Sequence, residues 1–175
     1  MKFTHVLSIA TAALVATSAA GLARSPVPAE DDTFTVYGEA GDWTVYSVAE
    51  LESCVIERAD DKGNVIQMGL TKNHKHGYIG VFTLADIDIK RKQRIEIDID
   101  GYVFEGKARG IKSKKLQGDY SGGYIEVKDP NLATAVAEGQ PLIAFPKKRG
   151  ALIVDLTGTK KAMEEGRKGT LAMSS

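Results

Sequence analysis

The sequence predicts an all-β fold, an antiparallel β-sandwich or barrel of about ten short strands with two short helices. Three observations carry that prediction. Short runs rich in valine, isoleucine, tyrosine and phenylalanine recur at close spacing, and glycine, asparagine and aspartate separate them. Only two segments carry helical punctuation. There is no internal repeat or low-complexity tract to suggest another architecture.

The chain has 175 residues, the length of one domain. Lys2 precedes an uncharged stretch from Val6 to Ala20, followed by Gly21, Leu22 and Ala23. A charge, an apolar run and small residues in that order make a secretory signal peptide over 1–23, with cleavage expected after Ala23. The run is too short for a membrane span and no basic stop-transfer cluster follows it, so no span is expected in the mature chain. Residues 24–33 contain Arg24, Pro26, Pro28, Glu30, Asp31 and Asp32. That composition predicts a linker.

The β domain is expected over 34–169. Phe34 to Tyr37 and Trp43 to Val48 are its first runs, divided by Gly38 and Gly41. Cys54 to Arg58 and Val65 to Leu70 flank Asp60, Asp61, Lys62, Gly63 and Asn64, which is hairpin chemistry. Tyr78 to Leu84 follows a turn at Asn73 to Gly77. Arg94 to Ile99 and Tyr102 to Gly106 are joined by Asp100 and Gly101, a pair that accepts the positive φ angles of a type I′ turn. Ser121, Gly122 and Gly123 read as a flexible turn before Tyr124 to Val127. Leu142 to Phe145 and Ala151 to Leu156 complete the strands.

The first helix is expected between Asp129 and Gly139. Asp129 can cap, Pro130 suits the first helical position, Leu132, Ala135 and Val136 share a face, and Gly139 can end it. A second runs from Thr159 to Arg167, with Ala162 and Met163 inward and Gly166 or Gly169 ending it. Residues 170–175 are then a flexible tail.

Composition excludes several functions. Hydrophobic residues at 43% and charged residues at 26% fit a globular chain, not a disordered or disulfide-dense one. Lysine plus arginine total 23 and aspartate plus glutamate total 23, so no basic excess points to nucleic acid.

The acidic spacing from Glu96 to Gly101 superficially matches an EF-hand loop. Its twelfth position would be Lys107 where a bidentate glutamate is required, and Ile95, Ile97 and Ile99 alternate as a half-buried strand. Asp86 and Asp88 alternate with Ile87 and Ile89 in the same way. His74 and His76 would point the same way in an extended segment, as two metal ligands could, but no third ligand is near. No metal and no cofactor are expected. There is no GxSxG elbow, and Cys54, flanked by Val55 and Ile56, reads as a small buried hydrophobe rather than a nucleophile. No catalytic residue is assigned. A lone cysteine in an oxidising compartment implies burial or dimerisation, and the apolar neighbours favour burial.

The run Gly41, Asp42, Trp43, Thr44, Val45, Tyr46 and Ser47, then Cys54, then Val154, Asp155, Leu156, Thr157 and Gly158 before an alanine-bearing helix, resembles the invasion-associated locus B family. These are exported β-rich proteins of alphaproteobacteria. The resemblance implies a periplasmic or secreted, non-enzymatic module of envelope or host-surface interaction. In that family a cysteine usually stands four residues after the tryptophan and another often closes the last helix. Ser47 and Gly169 occupy those positions here, so the expected disulfides are lost.

The alternative is a periplasmic small-ligand or glycan-binding sandwich, using Trp43 and tyrosines as a stacking platform. Trp43 beside Val45 in a strand also reads as core. A pocket gathering His74, His76 and Cys54 would favour an enzyme, and a filled sandwich a binding module.

Basic residues cluster between strands. Lys90, Arg91, Lys92 and Arg94 form one connection, Lys112, Lys114 and Lys115 a second, and Lys147, Lys148 and Arg149 a third. In an antiparallel sandwich the connections gather at two ends, so at least two of these clusters share one and form an anion or partner patch. The partner it implies is an anionic envelope or host-surface component.

Overall fold

Asp100 and Gly101 adopt φ of 52° and 84°, the left-handed pair a type I′ turn requires, and clasp β6 (Arg94–Ile99) to β7 (Tyr102–Lys107). The computed structural model describes residues 24–174, except 86, 111–114, 117, 146 and 148–150. The signal peptide expected over 1–23 therefore lies outside the described residues. Within them the chain forms β1 (Thr35–Ala40), β2 (Trp43–Val48), β3 (Ser53–Ala59), β4 (Val65–Leu70) and β5 (Gly77–Thr83) before that hairpin. After it come β8 (Ser121–Val127), α1 (Leu132–Glu138), β9 (Leu142–Ala144), β10 (Leu152–Val154) and α2 (Thr159–Met173).

All strand pairs are antiparallel and make two sheets, in the orders β1-β2-β3-β4-β5-β8 and β10-β9-β6-β7. A bridge between Arg109 and Tyr124, beyond the end of β7, ties the smaller sheet to the edge of the larger. The inner residues of both sheets meet in the main core: Val45, Ile56, Ile66, Met68, Ile79, Val81 and Ile125 against Ile95, Ile97, Ile99, Phe104 and Leu142. The alternation in β6 is as expected, with its isoleucines inward. The five-residue turn before β4 is held by Asp60, whose carboxylate accepts the N–H groups of Lys62 and Asn64 and the Asn64 side-chain amide. Burial acts to raise its pKa, but these bonds prevail and hold the carboxyl below its usual value.

Four expectations are corrected. Residues 24–33 are not a free linker: Val27 is fully buried, Arg24 pairs with Asp32, and the Lys72 N–H bonds the Pro26 carbonyl. The reason lies in the larger sheet, whose second face is also apolar. Val55, Val65, Tyr78, Phe82 and Tyr124 form a separate core there, covered by Val27 and Phe34 and by Leu116 and Tyr120 from the β7–β8 connection.

Ser121, Gly122 and Gly123 are strand, not turn. A β-carbon on Gly122 would lie 2.0 Å from the Val81 carbonyl oxygen, so glycine is what lets β8 approach β5.

The second helix does not stop at Arg167, and 170–173 are helix, not tail. Gly166 and Gly169 lie on its buried face, where they bring α2 close to Ile56 and Cys54 instead of ending it. Finally, α1 starts two residues after Pro130. Asp129 still organises its entry, accepting the Asn131 N–H on its side chain and the Leu132 N–H on its carbonyl. Leu132, Ala135 and Val136 are its buried face, as expected.

Candidate functional site

The inner face of the larger sheet is longer than the smaller sheet that covers it. At the uncovered end, β3, β4, β5 and β8 present Cys54, Ile56, Met68, Ile79 and Val127, and α1 and α2 close over them with Leu132, Ala133, Val136, Met163 and Leu171. These walls enclose an open cavity of about 480 Å³, within the range of small-molecule sites. Its lining is mainly hydrocarbon. The turn His74–Gly77, the segment 128–130 and Arg167 form the mouth.

Of the hydroxyls in the lining, those of Ser53 and Thr170 are bonded, and the Tyr78 hydroxyl is buried without a partner among the described residues. The Thr170 hydroxyl accepts the Cys54 N–H at 2.9 Å and donates to the Gly166 carbonyl at 2.9 Å. The Ser53 hydroxyl reaches the Cys54 carbonyl. Burial pushes the Cys54 thiol up, favouring its protonated form, against a smaller opposite effect of hydrogen bonding to Thr170.

His74, His76 and Cys54 do all line this cavity, the arrangement expected of an enzyme. Their hydrogen bonds do not join them. The His74 Nε2 lies 3.0 Å from the Glu52 carbonyl oxygen, and the His76 Nδ1 lies 2.9 Å from the Glu126 Oε1. The pair does not lie in an extended segment, because His74 has φ of 55° within a turn. Among the described residues no group of three metal-ligating side chains is found. Trp43 is only 1% exposed and its indole N–H donates to the Thr157 carbonyl at 2.9 Å, so it offers no platform to a glycan.

The basic clusters fare differently from one another. Lys90, Arg91 and Lys92 are exposed on the turn that enters β6, and Lys90 lies 3.7 Å from Asp88. Arg94 pairs with Glu105, and the Lys147 ammonium bonds Glu96 at 2.5 Å, two residues along β6. The Glu96 carboxylate, by hydrogen bond and charge, pushes the Lys147 pKa up. Lys147 therefore lies toward the end of the smaller sheet where the first connection enters β6. Lys112, Lys114, Lys148 and Arg149 lie outside the described residues.

Lys115 departs from the expected patch. Its ammonium lies 2.5 and 2.6 Å from the two Glu57 oxygens and 4.3 Å from the centre of the Tyr46 ring. Beneath it Gln67 donates to Glu57, and the Tyr124 hydroxyl donates to Gln67. A buried carboxylate on the second face of the sheet needs a cation, and Lys115 supplies it.

The cavity was not legible beforehand because its lining comes from six elements and two connections, with no local motif. The one available signal was the adjacent apolar pairs Val55–Ile56, Val65–Ile66 and Val81–Phe82. They mark strands buried on both faces, which need cover beyond one opposing sheet. Among the described residues no helix is long and apolar enough to cross a membrane. No family model, curated protein or solved structure matches this chain.

Proposed function

We propose that this chain is exported and serves the cell envelope as a non-enzymatic binding module, holding a small, mainly apolar ligand beneath α1 and α2. The observation that carries this reading is the cavity of about 480 Å³ left at the uncovered end of the larger sheet. Exposed apolar concavity is costly in water, and a bound apolar group offsets that cost. The absence of catalysis is supported by the raised pKa of the Cys54 thiol and by the hydrogen bonds that turn both histidines toward other groups. Export is supported by the charge, apolar run and small residues of 1–23, and by the resemblance at Gly41 to Ser47.

The test is extraction of the mature protein purified from its native envelope, followed by mass spectrometry. A small apolar molecule near one per chain is expected, and an Ala133→Trp variant, which narrows the cavity from its α1 wall, should carry less of it. Protein that carries nothing and shows no saturable uptake of any apolar probe counts against the reading.

A second reading, contact with an anionic envelope or host surface, is favoured by the placement of Lys147 near the first basic connection. Arg91 and Lys92 are exposed there without an ion pair among the described residues. Binding to anionic vesicles should then fall steeply with salt. An Arg91→Gln, Lys92→Gln variant should bind less. Salt-independent binding would leave these residues as solvated turn.

A further inference from the structure

We infer that the ligand of this cavity is a fatty acid, its chain against the strands and its carboxylate held at the mouth by Lys75, Lys128 and Arg167. This rests on the pocket reading above and adds the chemistry of the occupant. Inside the cavity the hydroxyls of Ser53 and Thr170 are engaged with backbone groups, and that of Tyr78, though unpartnered, belongs to a residue only 1% exposed, so the interior offers little to a sugar, nucleotide or peptide. Ile56, Met68, Ile79 and Met163 instead suit methylene groups. A methylene occupies about as much space as the ~30 Å³ share of a water molecule, so the cavity of about 480 Å³ holds roughly sixteen such groups and a twelve-carbon chain fits within it.

The mouth has the opposite character. Lys75, Lys128 and Arg167 all line it, all are exposed, and none forms an ion pair among the described residues. One carboxylate, Asp129, shares the rim, and its Oδ1 already accepts the Asn131 N–H at 2.9 Å. The rim histidines are held by Glu52 and Glu126. Three cations against one acid, around a hydrocarbon interior, complement a single-chain anionic amphiphile. Leu70 and Leu171, 42% and 64% exposed, extend the apolar wall to the lip, where a chain would enter from a membrane surface.

The experiment is calorimetric titration of the delipidated protein with dodecanoate, dodecanol and dodecyltrimethylammonium. Dodecanoate should bind at least about tenfold more tightly than dodecanol, and the cation weakest. Between eight and twelve carbons each methylene should tighten binding about three- to fourfold. Added salt should weaken dodecanoate but not dodecanol. A Lys75→Gln, Lys128→Gln, Arg167→Gln variant should bind dodecanoate only as well as dodecanol, with dodecanol binding unchanged, which also shows that the variant is folded.

Equal binding of acid and alcohol, or no salt effect, overturns the carboxylate assignment and leaves the pocket reading standing. A lysophosphatidic acid of the same chain binding tenfold tighter than dodecanoate reassigns the head to phosphate and overturns the fatty acid. Failure of all three probes, with no other apolar ligand extracted, overturns both readings.

Discussion

A β-carbon placed on Gly169 would sit 2.5 Å from the Cys54 sulfur. It would also meet the Tyr37 ring at 3.1 Å, so α2 and β3 touch through a position that holds only hydrogen. Glycine inside a helix costs about 1 kcal/mol relative to alanine, and here close approach outweighs propensity. Gly169→Ala should therefore destabilise by about 1–3 kcal/mol, as overpacking does. Adding Cys54→Ala should recover most of that loss, a coupling readable from denaturant unfolding. In Gly169→Cys, oxidation should join the new thiol to Cys54. A thiol count of two in the native oxidised variant would contradict the contact.

Trp43 is the single tryptophan, so its emission reports on the core. Native emission should be blue-shifted and unquenched by soluble glycans. Trp43→Ala should cost about 3–5 kcal/mol. Trp43→Phe keeps most of the packing and leaves the Thr157 carbonyl only the longer bond from the Arg58 guanidinium at 3.4 Å, and should cost about 0.5–1.5 kcal/mol. Quenching by a sugar would restore the stacking platform that the buried ring argues against.

Tyr78 and Tyr124 meet edge to face at 5.6 Å, yet their hydroxyls differ. The Tyr124 hydroxyl donates to Gln67, and the Tyr78 hydroxyl has no hydrogen-bond partner among the described residues. Tyr124→Phe should cost about 1–3 kcal/mol, whereas Tyr78→Phe should be neutral or stabilising. A comparable loss in both variants would show that Tyr78 is bonded too.

Burial raises the pKa of both tyrosines and of Cys54, and this sets the alkaline limit. Above about pH 8.5 for the thiol and about pH 10 for the phenols, the unfolded chain has lost protons that the folded chain keeps. The unfolded state then binds fewer protons, so stability falls as pH rises through that window and is unaffected by these groups below it. Unfolding midpoints in denaturant, measured from pH 7 to 11, should decline from about pH 8.5. A flat profile to pH 11 would be inconsistent with burial of these groups.

Lys115 and Glu57, with side chains 19% and 10% exposed, pair on the second face of the larger sheet. Lys115→Met leaves a buried carboxylate without its cation and should cost about 3–5 kcal/mol. Combining it with Glu57→Gln should return most of that. A coupling energy below about 0.5 kcal/mol in the double-mutant cycle would reduce the pair to an ordinary surface contact.

Features governed by neighbouring residues were legible in the sequence. Asp100–Gly101, the alternation of Ile95, Ile97 and Ile99, the Asp60–Asn64 turn and the burial of Cys54 all follow from backbone conformation and strand period. They needed no knowledge of what lay across the sheet. The tertiary structure decided everything that depends on a second surface. Val27 packs because the larger sheet has an apolar outer face, Gly169 continues a helix because Cys54 approaches it, and Lys115 turns inward because Glu57 is buried. The cavity belongs to the same class, since it exists only where two helices bridge strands that the smaller sheet leaves uncovered. Local rules determine which conformations a segment can take, but burial and charge pairing are properties of two surfaces brought together by folding.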